Sequence, residues 1–219
     1  MHSKEVSTHI HDIGIVPCAR VRNPDHARFA AETLHAAGIP VLEVPLTVPK
    51  AAKVIEELAT RFPDLIIGAG TVLNELEAQR CVDAGARFIT SPGLVLGVVA
   101  CARKADVCVF PGALTPSEVI AAWHAGADFV KIFPAATAGG PSYIRALEVP
   151  LPQVPLIVTG GVNQLTAFDY ILAGARAIGV GSELLPNEAL QHRHADRIRE
   201  LARRFLIMVK EARAQRNGE

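Results

Sequence analysis

Apolar residues along the 219-residue chain gather into eight short runs, separated by longer stretches of helical period. The runs are Ile13–Ala19, Ile39–Pro45, Leu65–Gly70, Arg87–Ser91, Asp106–Phe110, Ala127–Phe133, Val154–Thr159 and Arg176–Val180. They are rich in β-branched residues and are punctuated by Gly and Pro, which predicts buried strands. Pro24–Ala37 and Pro49–Arg61 read as helices that carry Pro in the first turn. Asn74–Ala84, Leu94–Arg103, Thr115–Ala125, Gly140–Leu147 and Gln164–Ala173 follow the same rule. Connections of a few residues make βα units that feed a parallel sheet. A weak repeat, Ala37-Gly38, Ala84-Gly85, Ala125-Gly126 and Ala173-Gly174, closes a helix just before a strand, where Gly permits a left-handed helix end.

Eight βα units predict an α/β fold, a (β/α)8 TIM barrel with an extra C-terminal helix. That helix is expected over 188–214, with Ile198, Leu201, Phe205 and Met208 on its apolar face. No linker or low-complexity segment divides the sequence, so residues 1–219 are read as one barrel domain. Residues 1–12 form a polar N-terminal lead-in, either loosely held or a short first helix.

Charge adds an exclusion. The chain has 22 basic and 22 acidic residues, so no bulk field draws it to nucleic acid or membrane. Cys18, Cys81, Cys101 and Cys108 show no CxxC spacing, and several sit in apolar runs as small hydrophobes, as suits a reducing cytoplasm. The first twelve residues lack the apolar core of a signal peptide, and no apolar run is long enough to span a bilayer. No metal constellation stands out, and His192 and His194 read as a solvated face. Gly68-Ala69-Gly70 lacks the third glycine of a dinucleotide fingerprint.

One lysine is out of place. Lys131 lies inside Ala127–Pro134, whereas Lys4, Lys50, Lys53, Lys104 and Lys210 have polar or helical surroundings. Enclosure disfavours its charged form, so it should become a free amine and a nucleophile. Glu43 is a carboxylate in an otherwise apolar strand, which costs several kcal/mol unless it is paired or neutralised. Either it forms a structural ion pair with Lys131, or it moves protons for chemistry there. A barrel active site lies at the C-terminal strand ends. There the chain places Cys18-Ala19-Arg20, Gly68–Thr71, Thr90–Gly93, Phe110–Ala113, Thr159–Gly161 and Gly179–Ser182. The glycines after the seventh and eighth strands, with the Ser182 hydroxyl, suit a phosphate group.

Taken together these residues resemble the class I, Schiff-base pyruvate aldolases that act on 2-keto-3-deoxy-6-phosphogluconate (KDPG) and 4-hydroxy-2-oxoglutarate (KHG). The likeness runs from about Gly14 to Pro186 and rests on pieces in order. They are Ile15-Val16-Pro17 with Arg20, Leu42-Glu43, Gly68–Leu73, Ser91-Pro92-Gly93, Phe110-Pro111-Gly112, Lys131–Ala135, Thr159–Val162 and Gly181-Ser182. The resemblance implies that Lys131 forms the imine and Glu43 transfers protons. It implies substrate contacts from Arg20, Thr47, Thr71, Pro92, Phe133 and Thr159, and a phosphate site at Gly160, Gly161, Gly181 and Ser182. It also implies a homotrimer that uses no metal or cofactor, and the cysteine usage already points to a cytoplasmic location. Its small-molecule partners would be a phosphorylated 2-keto-3-deoxy sugar acid and pyruvate.

One position departs from the pattern. Gluconate-type members carry Leu-Arg-Thr-Pro after the catalytic Glu, whereas this chain has Leu46-Thr47-Val48-Pro49. Galactonate-type members have a more similar segment there, yet Thr159 before the Gly pair matches the gluconate type. Arg20 is the candidate to supply the missing positive charge. The expected reaction is cleavage of KDPG to pyruvate and glyceraldehyde 3-phosphate. The galactonate epimer or 4-hydroxy-2-oxoglutarate is the alternative substrate. A phosphosugar isomerase or epimerase and a non-catalytic phosphometabolite-binding barrel remain open on the residues alone.

Overall fold

The computed structural model describes residues 2–218. A first helix, α1 (Ser3–Ile13), precedes the repeating units, so of the two readings of the lead-in the helix is the one observed. Its start is capped by Glu5, whose carboxylate accepts from the His2 amide at 2.9 Å, and it buries Val6 and Ile10 one turn apart. Then follow β1 (Ile15–Pro17), α2 (Pro24–Ala36), β2 (Val41–Pro45), α3 (Ala51–Arg61), β3 (Ile66–Gly70) and α4 (Glu75–Asp83). The chain continues with β4 (Phe88–Thr90), α5 (Leu96–Lys104), β5 (Cys108–Phe110), β6 (Gly112–Ala113) and α6 (Pro116–His124). It ends with β7 (Val130–Ile132), α7 (Gly140–Glu148), β8 (Leu156–Val158), α8 (Ala167–Leu172), β9 (Ala177–Val180), α9 (Asn187–Gln191) and α10 (Ala195–Asn217).

Every strand pair is parallel, in two sheets ordered β1-β9-β8-β7-β6 and β2-β3-β4-β5. Two seams join them into a barrel. At the first, Cys18 bridges to Glu43, and the Ala19 amide donates to the Glu43 carbonyl at 2.9 Å. At the second, Pro111 divides the fifth strand position into β5 and β6, because proline brings no N–H to the ladder. The Lys131 amide donates to the Pro111 carbonyl at 2.9 Å and the Asp128 amide to Val109 at 3.0 Å, which closes the ring. The eight predicted strands are therefore present, the fifth in two pieces.

Alternation along the strands sorts residues into two environments. Leu42, Val44, Val130, Ile132 and Val158 face the helices in one large apolar layer. Val16, Val41, Ile66, Phe88, Cys108, Phe129 and Ile157 fill the barrel interior and meet Val6 and Ile10 of α1. Phe110 stacks on Phe88 with ring centroids 5.2 Å apart and meets Phe129 edge-on at 5.1 Å. A Cβ at Gly68 would overlap the Phe88 ring, so glycine there admits the aromatic plug. Helix α1 and this plug form an apolar floor, and the polar strand ends lie above it.

The C-terminal region differs from the sequence reading. Instead of one helix over 188–214, two helices meet at His192–His194, with Arg193 in a left-handed conformation (φ 52°) that no continuous helix allows. Ile198, Leu201, Phe205 and Val209 of α10 are buried, and the helix packs on α8 and α2. Arg213 then reaches the open carbonyls at the end of α1, donating to Asp12 at 2.6 Å, to His11, and to Arg176 at 2.9 Å. Among the described residues no helix is long and apolar enough to cross a membrane.

Candidate active site

Glu43 and Lys131 come from β2 and β7, in different sheets, and meet inside the barrel mouth. Lys131 Nζ lies 3.8 Å from Glu43 Oε2, with side chains 12% and 6% exposed. That separation is an ion-pair contact, beyond the reach of a direct hydrogen bond. Thr90, at the end of β4, fills the gap. Nζ donates to Thr90 Oγ1 at 3.1 Å, and that hydroxyl donates to Glu43 Oε2 at 3.2 Å. The other carboxylate oxygen, Oε1, accepts from Cys18 Sγ at 3.4 Å. Burial, reinforced by the Glu43 charge, pushes the Cys18 thiol well above its ordinary range, so the sulfur keeps the proton it donates. Lys131 Nζ also lies 5.9 Å from the centre of the Phe133 ring.

These groups open into a pocket of about 540 Å3. Of the residues singled out from the sequence, Lys131, Glu43, Arg20, Phe133, Thr159, Gly160, Gly161, Gly181 and Ser182 line it. Thr47, Thr71 and Pro92 are not among the lining residues. Thr47 and Pro92 are exposed. Thr71 directly follows β3 with φ 56°, a conformation costly for a β-branched residue and the kind that accumulates at functional sites. Among the described residues, Arg20 is the one cation besides Lys131 in the lining.

Glycines make the pocket's shape. Gly160 and Gly161 both adopt left-handed φ, 85° and 84°, and a Cβ on Gly161 would overlap the Ala136 side chain. A Cβ on Gly179 would likewise overlap Thr159. Thr159 Oγ1 is buried without a hydrogen-bond partner among the described residues, which calls for an explanation in a lining side chain. The amides of Gly161 and Ser182 also find no backbone acceptor among the described residues. Also in that set, no group of three or more His, Cys, Asp or Glu is placed to hold a metal ion.

Two site residues escaped the sequence reading. Cys18 and Thr90 stand in the sequence only among the residues gathered at the strand ends, with no role assigned to either. Strand parity is the signal that finds them, because each occupies the inward register also used by Glu43 and Lys131.

A family model described as KDPG and KHG aldolase matches residues 6–201. The 2-dehydro-3-deoxy-phosphogluconate aldolase of Pseudoalteromonas atlantica is 37% identical over 190 residues, 86% of this chain and 88% of the relative. The KHG/KDPG aldolase of Escherichia coli K12 is also 37% identical over 190 residues, covering 86% and 89%. Among solved structures, a KDPG aldolase from Legionella pneumophila, with pyruvate captured as a covalent carbinolamine intermediate, superposes with a TM-score of 0.83. It is 35% identical and covers 90% of this chain and 95% of its own.

Proposed function

The chain belongs to the KDPG and KHG aldolase family and is a lyase, and from that premise we propose that it cleaves KDPG to pyruvate and glyceraldehyde 3-phosphate through an imine on Lys131. The observation that carries this reading is the enclosed Lys131 amine 3.8 Å from the Glu43 carboxylate at the base of the pocket. In its neutral form the amine attacks the C2 ketone, and Glu43 exchanges the protons needed to form the carbinolamine and expel water. The protonated imine then accepts the electron pair of the breaking C3–C4 bond while the C4 hydroxyl proton passes to Glu43. Reprotonation of the enamine at C3 and hydrolysis release pyruvate and restore the amine.

The rest of the pocket supplies binding and orientation. The amides of Gly161 and Ser182 and the Ser182 hydroxyl would hold the phosphate, with Gly160 and Gly181 keeping that wall bare of side chains. Thr159 Oγ1, without a hydrogen-bond partner among the described residues, would meet the pyruvyl end, and Phe133 would wall it. Arg20 takes the substrate carboxylate, since Thr47 offers no charge and is exposed outside the pocket. Thr71 and Pro92 would shape the rim from the loops after β3 and β4.

We further propose a single-domain, cytoplasmic homotrimer. Free thiols at all four cysteines suit a reducing compartment, and the exposed Leu73, Leu76 and Leu96 offer apolar surface for a subunit contact. Cleavage assays with KDPG, its galactonate epimer and 4-hydroxy-2-oxoglutarate test the substrate reading. The highest kcat/KM should fall on KDPG. A preference for either competitor transfers the assignment to it, and Thr47 is the position that motivates the comparison.

A further inference from the structure

We propose that the Thr90 hydroxyl is a catalytic proton relay between Lys131 Nζ and Glu43 Oε2, with the Cys18 thiol holding the opposite carboxylate oxygen so that Oε2 alone receives the proton. This rests on the imine reading above. Three distances carry it. The direct path from Nζ to Oε2 is 3.8 Å, too long for proton transfer without rearrangement. Each leg through Thr90, 3.1 Å and 3.2 Å, is within hydrogen-bond reach. The two legs also run head to tail, since Nζ–H donates to Oγ1 and the Oγ1 hydrogen donates onward to the carboxylate. A hydroxyl accepts and donates at once, so it can serve as such a link.

The relay is enclosed. Thr90 is 1% exposed, and its neighbour Ile89 is buried in the layer that faces the helices. Glu43 Oε1 is occupied by Cys18, which leaves Oε2 as the oxygen turned toward the amine.

The step balances without any further reagent. As Nζ forms its bond to C2, the C=O pair moves onto oxygen and the nitrogen becomes a cationic secondary amine. That nitrogen gives one proton to Thr90 Oγ1 while the threonine proton passes to Oε2. Glu43 is then a carboxylic acid and Thr90 is unchanged. The acid returns that proton to the alkoxide, giving the neutral carbinolamine. The remaining N–H proton then follows the same path through Thr90 and Oε2 to the hydroxyl, which leaves as water as the nitrogen lone pair forms the imine. One proton from solvent gives its protonated form.

The test uses the full chain and the rate of imine formation with pyruvate, read by timed borohydride quenching and mass spectrometry. Thr90→Val keeps the branched shape and removes the hydroxyl, and it should slow imine formation about 100-fold, the low end of general acid–base effects. The KM for the phosphorylated substrate should move only a few-fold. Thr90→Ser should recover most of the rate. Cys18→Val should reduce the rate less, because the relay itself survives. A Thr90→Val protein that forms the imine at the wild-type rate overturns the relay. So does a Thr90→Ser protein as slow as Thr90→Val, because that result assigns the effect to packing.

Folding of the variants is checked by thermal melting, and a proton inventory on the wild type covers the case in which Thr90→Val does not fold. Two protons in flight give a curved dependence of rate on deuterium fraction, and a straight line contradicts the relay. A wild-type protein that is not trapped at all defeats the imine reading itself. Trapping in both wild type and Thr90→Val at one rate defeats only the relay.

Discussion

Gly70 and Glu43 occupy neighbouring strands so closely that a Cβ on Gly70 would fall on the Glu43 carboxylate. The glycine backbone is not left-handed at this position, so the conflict is one of space alone. Gly70 therefore decides where the proton-transfer group can stand. Gly70→Ala should displace the carboxylate from Thr90 and Lys131 and cut turnover roughly 100-fold or more, toward the level of Glu43→Gln. The overpacking should cost about 1–3 kcal/mol, which urea unfolding will register without loss of the fold. Turnover within two-fold of wild type would mean that the carboxylate position is not set by this contact.

Arg20 carries the second prediction. Among the described residues that line the pocket it is the one cation besides Lys131, so it is the group available to pair with the substrate carboxylate. Losing one charge-assisted hydrogen bond costs about 1.5–3 kcal/mol, or roughly a 10- to 150-fold loss in kcat/KM. Arg20→Ala should show that loss mainly as a raised KM, with kcat little changed. A steady-state series in Arg20→Ala and Arg20→Lys checks it. An unchanged KM would remove Arg20 from the carboxylate site.

The third prediction concerns stability. Asp128 precedes β7, accepts from the Val109 amide at 2.9 Å and lies 3.3 Å from Arg103. Burial nevertheless outweighs these partners and raises its carboxyl above the ordinary range. A carboxyl with a folded pKa above its unfolded one binds a proton on folding. Its contribution is complete at low pH and is lost as pH rises through the folded pKa. Asp128→Asn keeps an acceptor for Val109 and removes the ionisation. Wild type should therefore gain stability relative to the variant as pH falls from neutral toward the ordinary Asp value of about 4, measured by urea unfolding at each pH. A difference independent of pH would contradict the assignment.

Most of the barrel was legible because each apolar run had room for only one structure. Lys131 and Glu43 stood out because charge inside such a run needs a reason. Other features depended on contacts that no local pattern carries. Helix α1 shows just two buried apolar residues one turn apart, and its stability comes from the barrel floor it covers. The break at His192–His194 follows from turning α10 onto α8 and α2, although each side of it is helix-forming. Pro111 marked the end of a run, yet the strand resumes beyond it because Lys131 supplies the donor that the proline carbonyl needs. Thr90 and Cys18 became visible only once register placed them beside Glu43.

The central claim is that Lys131 is the nucleophile, and the most direct measurement is borohydride reduction of the protein in the presence of pyruvate, followed by peptide mass mapping. The account predicts one reduced pyruvyl adduct per chain, located on Lys131. It also predicts no adduct and no cleavage activity in a folded Lys131→Ala protein. An adduct on another lysine, or full activity in Lys131→Ala, would contradict it.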